Sequence, residues 1–213
     1  MWEQGNAPTS SRQHVQPPGM LRFLSAIHPE SAIDMVRERM GQVIPFEQLP
    51  LLGDRLRAEG KRVVFTNGHF DLLHIGHLRY LQAAAALGDA LIVGLNDDAS
   101  TTRRKGPSRP ILPEAERAEL VAGLACVDYA TIFHDDTAAR AIAMLRPDIY
   151  VKGGDYAVND AELAAGKLPL PEAELVRDYG GEVRTIPLVP GASTTEIERR
   201  IIERIRDAEQ RQP

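Results

Sequence analysis

The residues VVFTNGHFDLLHIGH, positions 63–77, decide the fold of this chain. The β-branched and aromatic residues at the beginning are typical of a buried strand, and Asn67-Gly68 interrupts that strand. After the last histidine, Leu78, Leu81 and Ala85 recur at the spacing of a helix. We therefore predict a strand, a loop and the start of a helix.

In a parallel α/β sheet, a strand-to-helix junction lies at the edge where open sheets bind ligands, and free helix N–H groups attract anions there. His74 and His77 are three residues apart, so they share one face of the first helical turn. Gly76 between them leaves room for a phosphate to approach the backbone. The spacing predicts a phosphate site with two imidazoles above a helix N-terminus.

Two other interpretations fit the same pair of histidines. In the first, the pair supplies half of the ligands of a zinc site. In the second, the two histidines lie on the surface and bind no ligand. Zinc needs three or four ligands, and the chain has one cysteine and no second clustered pair. The pattern favours phosphate chemistry over both alternatives.

Composition indicates a globular protein. The chain has 213 residues, 43% of them hydrophobic and 26% charged, which suits one domain of ordinary size with extra segments. The net charge of -5 argues against a nucleic-acid binder, which needs basic excess to displace counterions.

Compartment and membrane association are also predicted from the sequence. No apolar run has membrane-spanning length, and the first residues lack the pattern of a secretory signal. Cys126 is alone, so no disulfide forms within the chain and a reducing compartment fits. We expect a cytoplasmic protein without a membrane segment.

The chain divides into three segments. Residues 1–20 are rich in Pro, Gln, Ser and Gly and are predicted to be a disordered tail. Residues 21–60 are predicted to be a helical N-terminal extension that docks onto the main domain or a partner subunit. Its two helices begin after Pro29 and around Leu49. Residues 61–213 form the main domain.

Strands and helices alternate throughout the main domain. After the first strand, the predicted strands are Ala90–Leu95, Tyr129–Phe133, Ile149–Val151 and Val183–Ile186. The predicted later helices are Pro113–Ala125, Thr137–Leu145, Pro171–Tyr179 and Thr195–Asp207, with Asn96–Pro110 as a polar loop. The alternation predicts an α/β fold with a doubly wound, Rossmann-like, five-stranded parallel sheet.

Three further clusters follow predicted strands and would border the same cleft. Loop 102–110 is dense in cations, a feature that is also typical of solvated surface. Lys152–Tyr156 contains paired glycines that expose backbone groups to a ligand edge such as a nucleobase. Gly191–Glu196 is explained by a helix capping box, or it offers hydroxyls and N–H groups to a terminal phosphate. The residues alone leave both interpretations of this last cluster open.

Residues 61–207 resemble the nucleotidyltransferase superfamily that carries the His-x-Gly-His signature. Within it, the chain resembles the D-glycero-β-D-manno-heptose 1-phosphate adenylyltransferases. The similar motifs are Thr66-Asn67-Gly68-x-Phe70-Asp71-Leu72-Leu73-His74, Leu87-Gly88-Asp89, Asn96-x-Asp98-Ala99-Ser100, Lys105-Gly106, Arg109-Pro110, Lys152-Gly153-Gly154-Asp155-Tyr156 and Ser193-Thr194-Thr195. The His-x-Gly-His signature indicates only the superfamily, whereas the motifs at 152–156 and 96–100 are much more specific.

The resemblance implies transfer of AMP from ATP to D-glycero-β-D-manno-heptose 1-phosphate, giving ADP-heptose and pyrophosphate. It implies that His74, His77, Lys105 and Arg117 are catalytic. The nucleotide-binding residues that it implies are Asn67, Gly68, Phe70, Gly76, Lys152, Gly153, Asp155, Ser193, Thr194 and Thr195.

The resemblance also implies an acceptor site and a metal. Arg109 and Asn96 would bind the sugar phosphate. Mg²⁺ would bind through the phosphates, with Asp71 as the nearest carboxylate, unless Asp71 only orients its loop. We expect a homodimer, and a separate sugar kinase that supplies the acceptor, because residues 1–60 are too few for the kinase half of the bifunctional enzymes.

The chain departs from the family pattern at several positions. His69 stands where the family usually has Cys or Val, and residues 157–171, expected to line the sugar pocket, have no clear counterpart. The cytidylyltransferases that use glycerol 3-phosphate typically carry Arg-Thr where this chain has Leu188-Val189. That difference favours the heptose branch. A cytidylyltransferase for a small phosphorylated alcohol and a non-catalytic nucleotide-binding protein are the alternatives, and the choice among ATP, CTP and GTP stays open.

Overall fold

The computed structural model, which describes residues 40–157 and 159–211, contains one parallel sheet of six strands. The strands are β1 Gln42–Val43, β2 Val63–Gly68, β3 Ala90–Asn96, β4 Tyr129–Phe133, β5 Ile149–Gly153 and β6 Glu182–Ile186. All five pairings between neighbours are parallel. The α/β class and the parallel sheet predicted from the sequence are confirmed.

Helices connect the strands. They are α1 Leu49–Ala58, α2 Ile75–Ala85, α3 Asp98–Lys105, α4 Glu114–Ala122, α5 Ala139–Leu145, α6 Asp160–Ala164, α7 Glu172–Asp178 and α8 Thr194–Gln210. Among the described residues, no helix combines the length and apolar character needed to cross a membrane.

The strand order β1-β4-β3-β2-β5-β6 determines where a ligand can bind. The chain proceeds from β2 through β3 to β4 on one side, then returns to place β5 on the other side of β2, where Val64 pairs with Ile149. Ligands of open α/β sheets bind at the carboxyl ends of strands where the order reverses. The ends of β2 and β5 therefore mark the expected crevice.

The sheet is covered on both faces, as a doubly wound fold requires. Alternate residues of a strand point to opposite faces, so Phe65 packs in one cluster and Val64 in the other. The first cluster includes Leu52, Ile142 and Val176, from α1, α5 and α7. The second includes the following residues of α2 and α4: Leu81, Ala84, Ala118, Val121 and Ala122.

The predicted count of five strands is wrong by one. Strand β1 has two residues, too few for alternation to be visible in the sequence, and it exists because Gln42 pairs with Tyr129 of β4. The second predicted helix of the N-terminal extension is present as α1, and its Leu49 and Leu56 are buried in the main core. The predicted tail and most of the helix after Pro29 lie outside the described residues; Met40 and Gly41, at the predicted end of that helix, are described and are not helical.

The predicted loop 96–110 is also wrong in part, because it contains helix α3. The side chain of Asp97 caps this helix by accepting a hydrogen bond from the Ser100 amide at 2.7 Å. The helix is polar along most of its length, so hydrophobic periodicity gives no signal there. Lys105 lies in the last turn, where the helix dipole stabilises a positive charge. Gly106, at φ +101°, ends the helix.

Candidate active site

The junction between β2 and α2 is built around His74. This residue is the N-cap of α2, and its Nδ1 accepts hydrogen bonds from the amides of Gly76 at 3.1 Å and His77 at 3.4 Å. A nitrogen that accepts hydrogen bonds carries no proton, so the neutral ring holds its hydrogen on Nε2. His74 thus caps the helix with one nitrogen and keeps an N–H donor on the other.

His77 stacks on that ring. The centroids of the two imidazoles are 3.8 Å apart with 20° between their planes, and the ring of Phe70 lies 5.3 Å from His77. Burial and the neighbouring His74 lower the pKa of His77 to about 4, although the backbone at Leu72 opposes them. In the free protein at neutral pH, His77 is therefore an uncharged ring.

Gly76 has a packing role beyond the predicted approach of a phosphate. A Cβ at this position would lie 2.9 Å from the His74 imidazole and 3.0 Å from the Cβ of Ala192. The missing side chain lets the His74 ring fold back over the helix and lets the loop before α8 come close. Any larger residue would push one of these groups away.

The end of β5 faces the end of β2 across the switch point. Asn67 Oδ1 accepts hydrogen bonds from the Tyr150 hydroxyl at 2.8 Å and from Lys152 Nζ at 3.2 Å. Burial lowers the pKa of Lys152, whose ammonium lies 5.0 Å from the centroid of the Tyr156 ring. The lysine is thereby held at the crevice by an amide and an aromatic face.

The start of α8 closes the other side of the crevice. Ser193 is the N-cap, and its hydroxyl accepts a hydrogen bond from the Glu196 amide at 3.1 Å. The Glu196 carboxylate is bound by Arg199 and Arg200, at 2.7 and 2.8 Å. The capping that the sequence left open is therefore performed by Ser193, and the hydroxyls of the next two residues are not required for it.

These parts surround one cavity of about 690 Å³, a size that accepts a nucleotide. It is lined by the following predicted site residues: Asn67, Gly68, Phe70, His74, Gly76, His77, Lys105, Lys152, Gly153, Asp155, Ser193, Thr194 and Thr195. The structure brings together residues that are far apart in the chain, and their individual roles stay predictions.

Arg117 does not face this cavity. Its side chain is fully buried, and the guanidinium donates to Asp98 Oδ1 at 2.6 Å, to the His69 carbonyl at 2.5 Å and to the Leu112 carbonyl at 3.0 Å. A guanidinium enclosed in this way does not reach a phosphate in the crevice. It holds α4, the start of α3 and the loop after β2 in one arrangement.

Asp71 and Arg109 bind each other beside the cavity, at 2.8 Å. The carboxylate of Asp71 also accepts hydrogen bonds from the amides of Ile111 and Leu112. Burial alone would raise the pKa of Asp71, but the bonds from Leu112 and Arg109 hold it below its ordinary value. Arg109 pairs with Glu198 of α8 as well.

Asp71 does not fit as a metal ligand, because both of its oxygens already accept protein hydrogen bonds. Within residues 40–157 and 159–211, no three acidic, histidine or cysteine side chains are grouped as a metal site would need. The donor set therefore supports the second interpretation of Asp71, that it orients its loop.

His69 lines the cavity of about 690 Å³ and also two smaller neighbouring cavities of about 450 and 470 Å³. Its Nδ1 is 3.0 Å from the Thr101 hydroxyl. Burial, followed by the charges of Lys105 and Arg104, lowers the pKa of His69 to about 4. The residue that departs from the family pattern is thus central to the site and uncharged.

Sequence reasoning missed two groups at the site. Tyr80 lines the main cavity, with its hydroxyl 2.7 Å from Thr66 Oγ1 and 3.1 Å from the Val151 carbonyl, so it ties α2 to β2 and β5. It is three residues after His77, a spacing that places both on one helix face and would have identified it. Glu172, the other missed residue, lines an adjoining cavity of about 450 Å³ and had no signal in the sequence.

Comparison with known proteins places the chain among nucleotidyltransferases of this architecture. A family model described as cytidylyltransferase-like matches residues 65–200. The chain is 55% identical to the bifunctional protein HldE of Syntrophotalea carbinolica over 148 residues, which are 70% of this chain and 28% of that protein. It is 49% identical to the HldE of Pseudomonas aeruginosa over 188 residues, 87% and 38% of the two chains.

Similar values are found for the bifunctional protein HldE of Trichlorobacter lovleyi, which is 46% identical over 194 residues, 91% of this chain and 36% of that protein. The chain spans about a third of the length of these relatives. The solved lipopolysaccharide core biosynthesis protein from Thermoplasma volcanium is 30% identical, with a TM-score of 0.46, covering 61% of this chain and 98% of that one.

Proposed function

Because this chain belongs to the cytidylyltransferase-like family, we propose that it transfers AMP from ATP to D-glycero-β-D-manno-heptose 1-phosphate, giving ADP-heptose and pyrophosphate. The heptose acceptor is supported by the lysine-glycine-glycine motif at 152–156 and by Leu188-Val189. It is supported further by 46–55% identity to bifunctional HldE proteins.

One observation carries the proposal. A single cavity contains the stacked rings of His74 and His77, the ammonium groups of Lys105 and Lys152, and the N-termini of α2 and α8. Two helix N-termini and two lysines supply positive potential from several sides. That arrangement suits a triphosphate, which carries several negative charges along a short chain.

The chemistry needs alignment more than it needs a base. An acceptor phosphate is already an anion at neutral pH, and one of its oxygens forms a bond to the α-phosphorus of ATP. The bond between that phosphorus and the oxygen bridging to the β-phosphate breaks, and pyrophosphate leaves with the electron pair. The protein must hold the two phosphates in line and neutralise the oxygens on which charge accumulates.

The histidines are suited to this task as neutral donors. His74 keeps its Nε2–H free, because Nδ1 is engaged with the helix amides. The adjacent, buried His77 offers a second ring at the same helix start. Preorganised donors of this kind stabilise a transition state without reorganising during the reaction.

The adenine ring of ATP would lie between the end of β5 and the segment before α8. Leu188 covers Gly153 so closely that a Cβ on the glycine would be 3.2 Å from its Cδ2. The cavity wall also contains Asp155 and Val189. This slot offers apolar contacts to the faces of a purine and backbone groups to its edge.

Arg117 and Arg109 have positioning roles in this proposal. Arg117 fixes the carbonyl of His69, and Arg109 links Asp71 to Glu198 at the start of α8. Magnesium, which neutralises phosphate charge in such reactions, would arrive with ATP and bind phosphate oxygens. The homodimer, the separate sugar kinase and the cytoplasmic location stay predictions.

A substrate panel tests the proposal directly. The purified chain is incubated with ATP, CTP, GTP or UTP, each paired with heptose 1-phosphate of either anomer or with glycerol 3-phosphate, and pyrophosphate release is measured. We expect release with ATP and the β-anomer. We expect His77→Ala to lower turnover by roughly a hundredfold, the effect of losing one preorganised donor.

The matched control is His134→Ala. His134 is exposed on the loop after β4 and binds Asp97, so its removal should leave turnover close to the wild-type value. Release with CTP and glycerol 3-phosphate would assign the chain to the cytidylyltransferase alternative. Absence of release with every pair would support a non-catalytic nucleotide-binding protein.

A further inference from the structure

A second cavity of about 450 Å³ adjoins the cavity of about 690 Å³ in which the proposed function places ATP, the nucleotide cavity. The residues that line both cavities are Asn67, Gly68, His69, Lys105, Lys152 and Tyr156. These residues form a shared wall from the ends of β2 and β5, the loops that follow them and the last turn of α3, and two of them are lysines. A molecule in the second cavity would therefore meet the nucleotide phosphates at this wall.

The far side of the second cavity has a different chemistry. Its polar residues include Glu172, Asp136, Asn96 and Thr137. The Asp136 carboxylate is paired with Arg103 at 2.7 Å, which leaves Glu172 as the carboxylate of this group without an ion pair among the described residues. Arg104 lines it too, and its guanidinium donates to the Asp136 carbonyl at 2.7 Å. Carboxylates repel a triphosphate but accept hydrogen bonds from hydroxyls.

The distribution of charge along the cavity matches one class of ligand. Lys105 and Lys152 line both cavities, whereas Glu172 lines only the second and is close enough to raise the pKa of Lys152 against the effect of burial. A sugar 1-phosphate has a dianion at one end and several hydroxyls at the other. Its phosphate would lie against the lysines, and its ring would extend toward the carboxylate.

Glu172 is the residue best placed to contact the ring. It is 8% exposed at the start of α7, and its Oε1 accepts a hydrogen bond from the Ala138 amide at 3.2 Å. Within the described part of the chain, this is the hydrogen bond that the carboxylate makes. Helix packing accounts for one oxygen, and Oε2 is left for a ligand.

The neighbouring segment supplies an apolar wall. The amide of Ala157 donates to the Leu168 carbonyl and the amide of Leu168 donates to the Asp155 carbonyl, both at 2.8 Å, so the chain closes on itself there. This closure brings residues 169–171, a Pro-Leu-Pro run, to the cavity. Proline and leucine form a firm surface on which the C–H face of a sugar ring can lie.

We propose that this second cavity binds the sugar ring of the acceptor and that the Glu172 carboxylate selects it by accepting hydrogen bonds from ring hydroxyls. The proposal rests on the proposed function, in which the acceptor is a sugar 1-phosphate. It makes Glu172 a specificity-determining residue of that reaction. Residues 169–171, in the segment without a clear family counterpart, become part of the acceptor site.

The test compares Glu172→Gln with Glu174→Gln. Glutamine keeps the shape of the side chain and an oxygen for the Ala138 amide but loses the charge, and a charged acceptor forms a hydrogen bond about twice as strong as a neutral one. We expect Glu172→Gln to raise the KM for heptose 1-phosphate roughly tenfold, with KM for ATP and kcat near wild type. Glu174 is exposed on the same helix, so Glu174→Gln should change none of these values.

A second variant tests the same cavity in case Glu172→Gln does not fold. Thr137→Val removes an exposed hydroxyl from the same cavity and should raise the KM for the sugar phosphate severalfold while leaving the melting temperature unchanged. An unchanged KM for the sugar phosphate in both variants would overturn the proposal. A parallel rise in the KM for ATP would overturn it as well, since it would indicate a general distortion.

Calorimetry separates this proposal from the proposed function. Heptose 1-phosphate is titrated into the wild-type protein and into Glu172→Gln, each saturated with a non-hydrolysable ATP analogue. If the wild type releases no pyrophosphate but binds the sugar phosphate more tightly than the variant, the proposed acceptor site is supported and the proposed transfer reaction is refuted. Equal binding to both proteins would refute the acceptor site, whatever the activity.

Discussion

Two helices begin at the nucleotide cavity, and they are held in different ways. Helix α2 is capped by His74, with its ring stacked on His77, and Leu81 and Ala84 of the same helix are fully buried. Helix α8 is capped by Ser193 and, among the described residues, has no buried side chain. One helix start is part of the core and the other is attached to the surface.

The attachment of α8 depends on polar contacts at its first turns. Glu198 pairs with Arg109, which binds the buried Asp71. Such a link is more easily broken than a packed core, because few apolar contacts are lost when it opens. The comparison teaches that the groups at the start of α2 are held by the core, whereas the start of α8 is held mainly by polar contacts.

The largest effect is expected from breaking the α2 side with Gly76→Ala. The new Cβ would lie 2.9 Å from the His74 ring and would force it from its capping position. We expect pyrophosphate release to fall roughly a hundredfold while the protein stays folded by circular dichroism. In Gly123→Ala, the Cβ meets atoms at 3.4 Å, an ordinary contact, so activity should be retained. Wild-type turnover in Gly76→Ala would contradict the role of the His74 ring.

The two regions should also respond to pH in different ranges. The pKa of His77 is lowered to about 4, so the unfolded chain binds a proton that the folded chain rejects, and stability falls as pH drops from about 6.5 toward 4. The slope is at most about 1.4 kcal/mol per pH unit for one histidine. Hydrogen bonds from Arg199 and Arg200 lower the pKa of Glu196 to about 2. The stability that the charged Glu196 adds is therefore lost only as pH falls below about 4.5.

Urea unfolding at pH 7, 6, 5 and 4.5 measures the first range. The free energy of unfolding of the wild type should decline over this series, and His77→Gln should decline less steeply. Identical slopes for the two proteins would show that His77 is not held uncharged in the folded state.

The smallest effect concerns the cap of α8. Ser193→Ala removes the acceptor for the Glu196 amide, a loss of about 1 kcal/mol. Because no described side chain of α8 is buried, we expect faster hydrogen exchange in this helix without a change in global unfolding. Thr194→Ala should leave exchange unchanged and weaken ATP binding. If Thr194→Ala instead sped up exchange and Ser193→Ala weakened ATP binding, Thr194 would be the cap and Ser193 the phosphate contact.

Much of the site was predictable from local patterns. The strand, Asn-Gly break and helix at 63–77, and the glycine pair at 153–154, mark the carboxyl ends of two parallel strands, where ligands bind. The burial of Arg117 was not predictable, because a basic residue on a polar helix is normally exposed. Its partners Asp98 and the His69 carbonyl are distant in the chain, so only the folded arrangement reveals them.

The sequence by itself determined the parallel α/β architecture, because strand alternation, helical spacing and turn residues are local properties. Its motifs, through the family resemblance, also indicated many residues of the cavity of about 690 Å³, though not Tyr80. Tertiary structure alone decided which of the candidate residues line one cavity and which, like Arg117, are buried elsewhere. Strand β1, the buried Arg117, the Asp71–Arg109–Glu198 link and the second cavity, which Glu172 lines, all depend on contacts between distant segments. No local pattern encodes those contacts, since each depends on how the chain closes on itself.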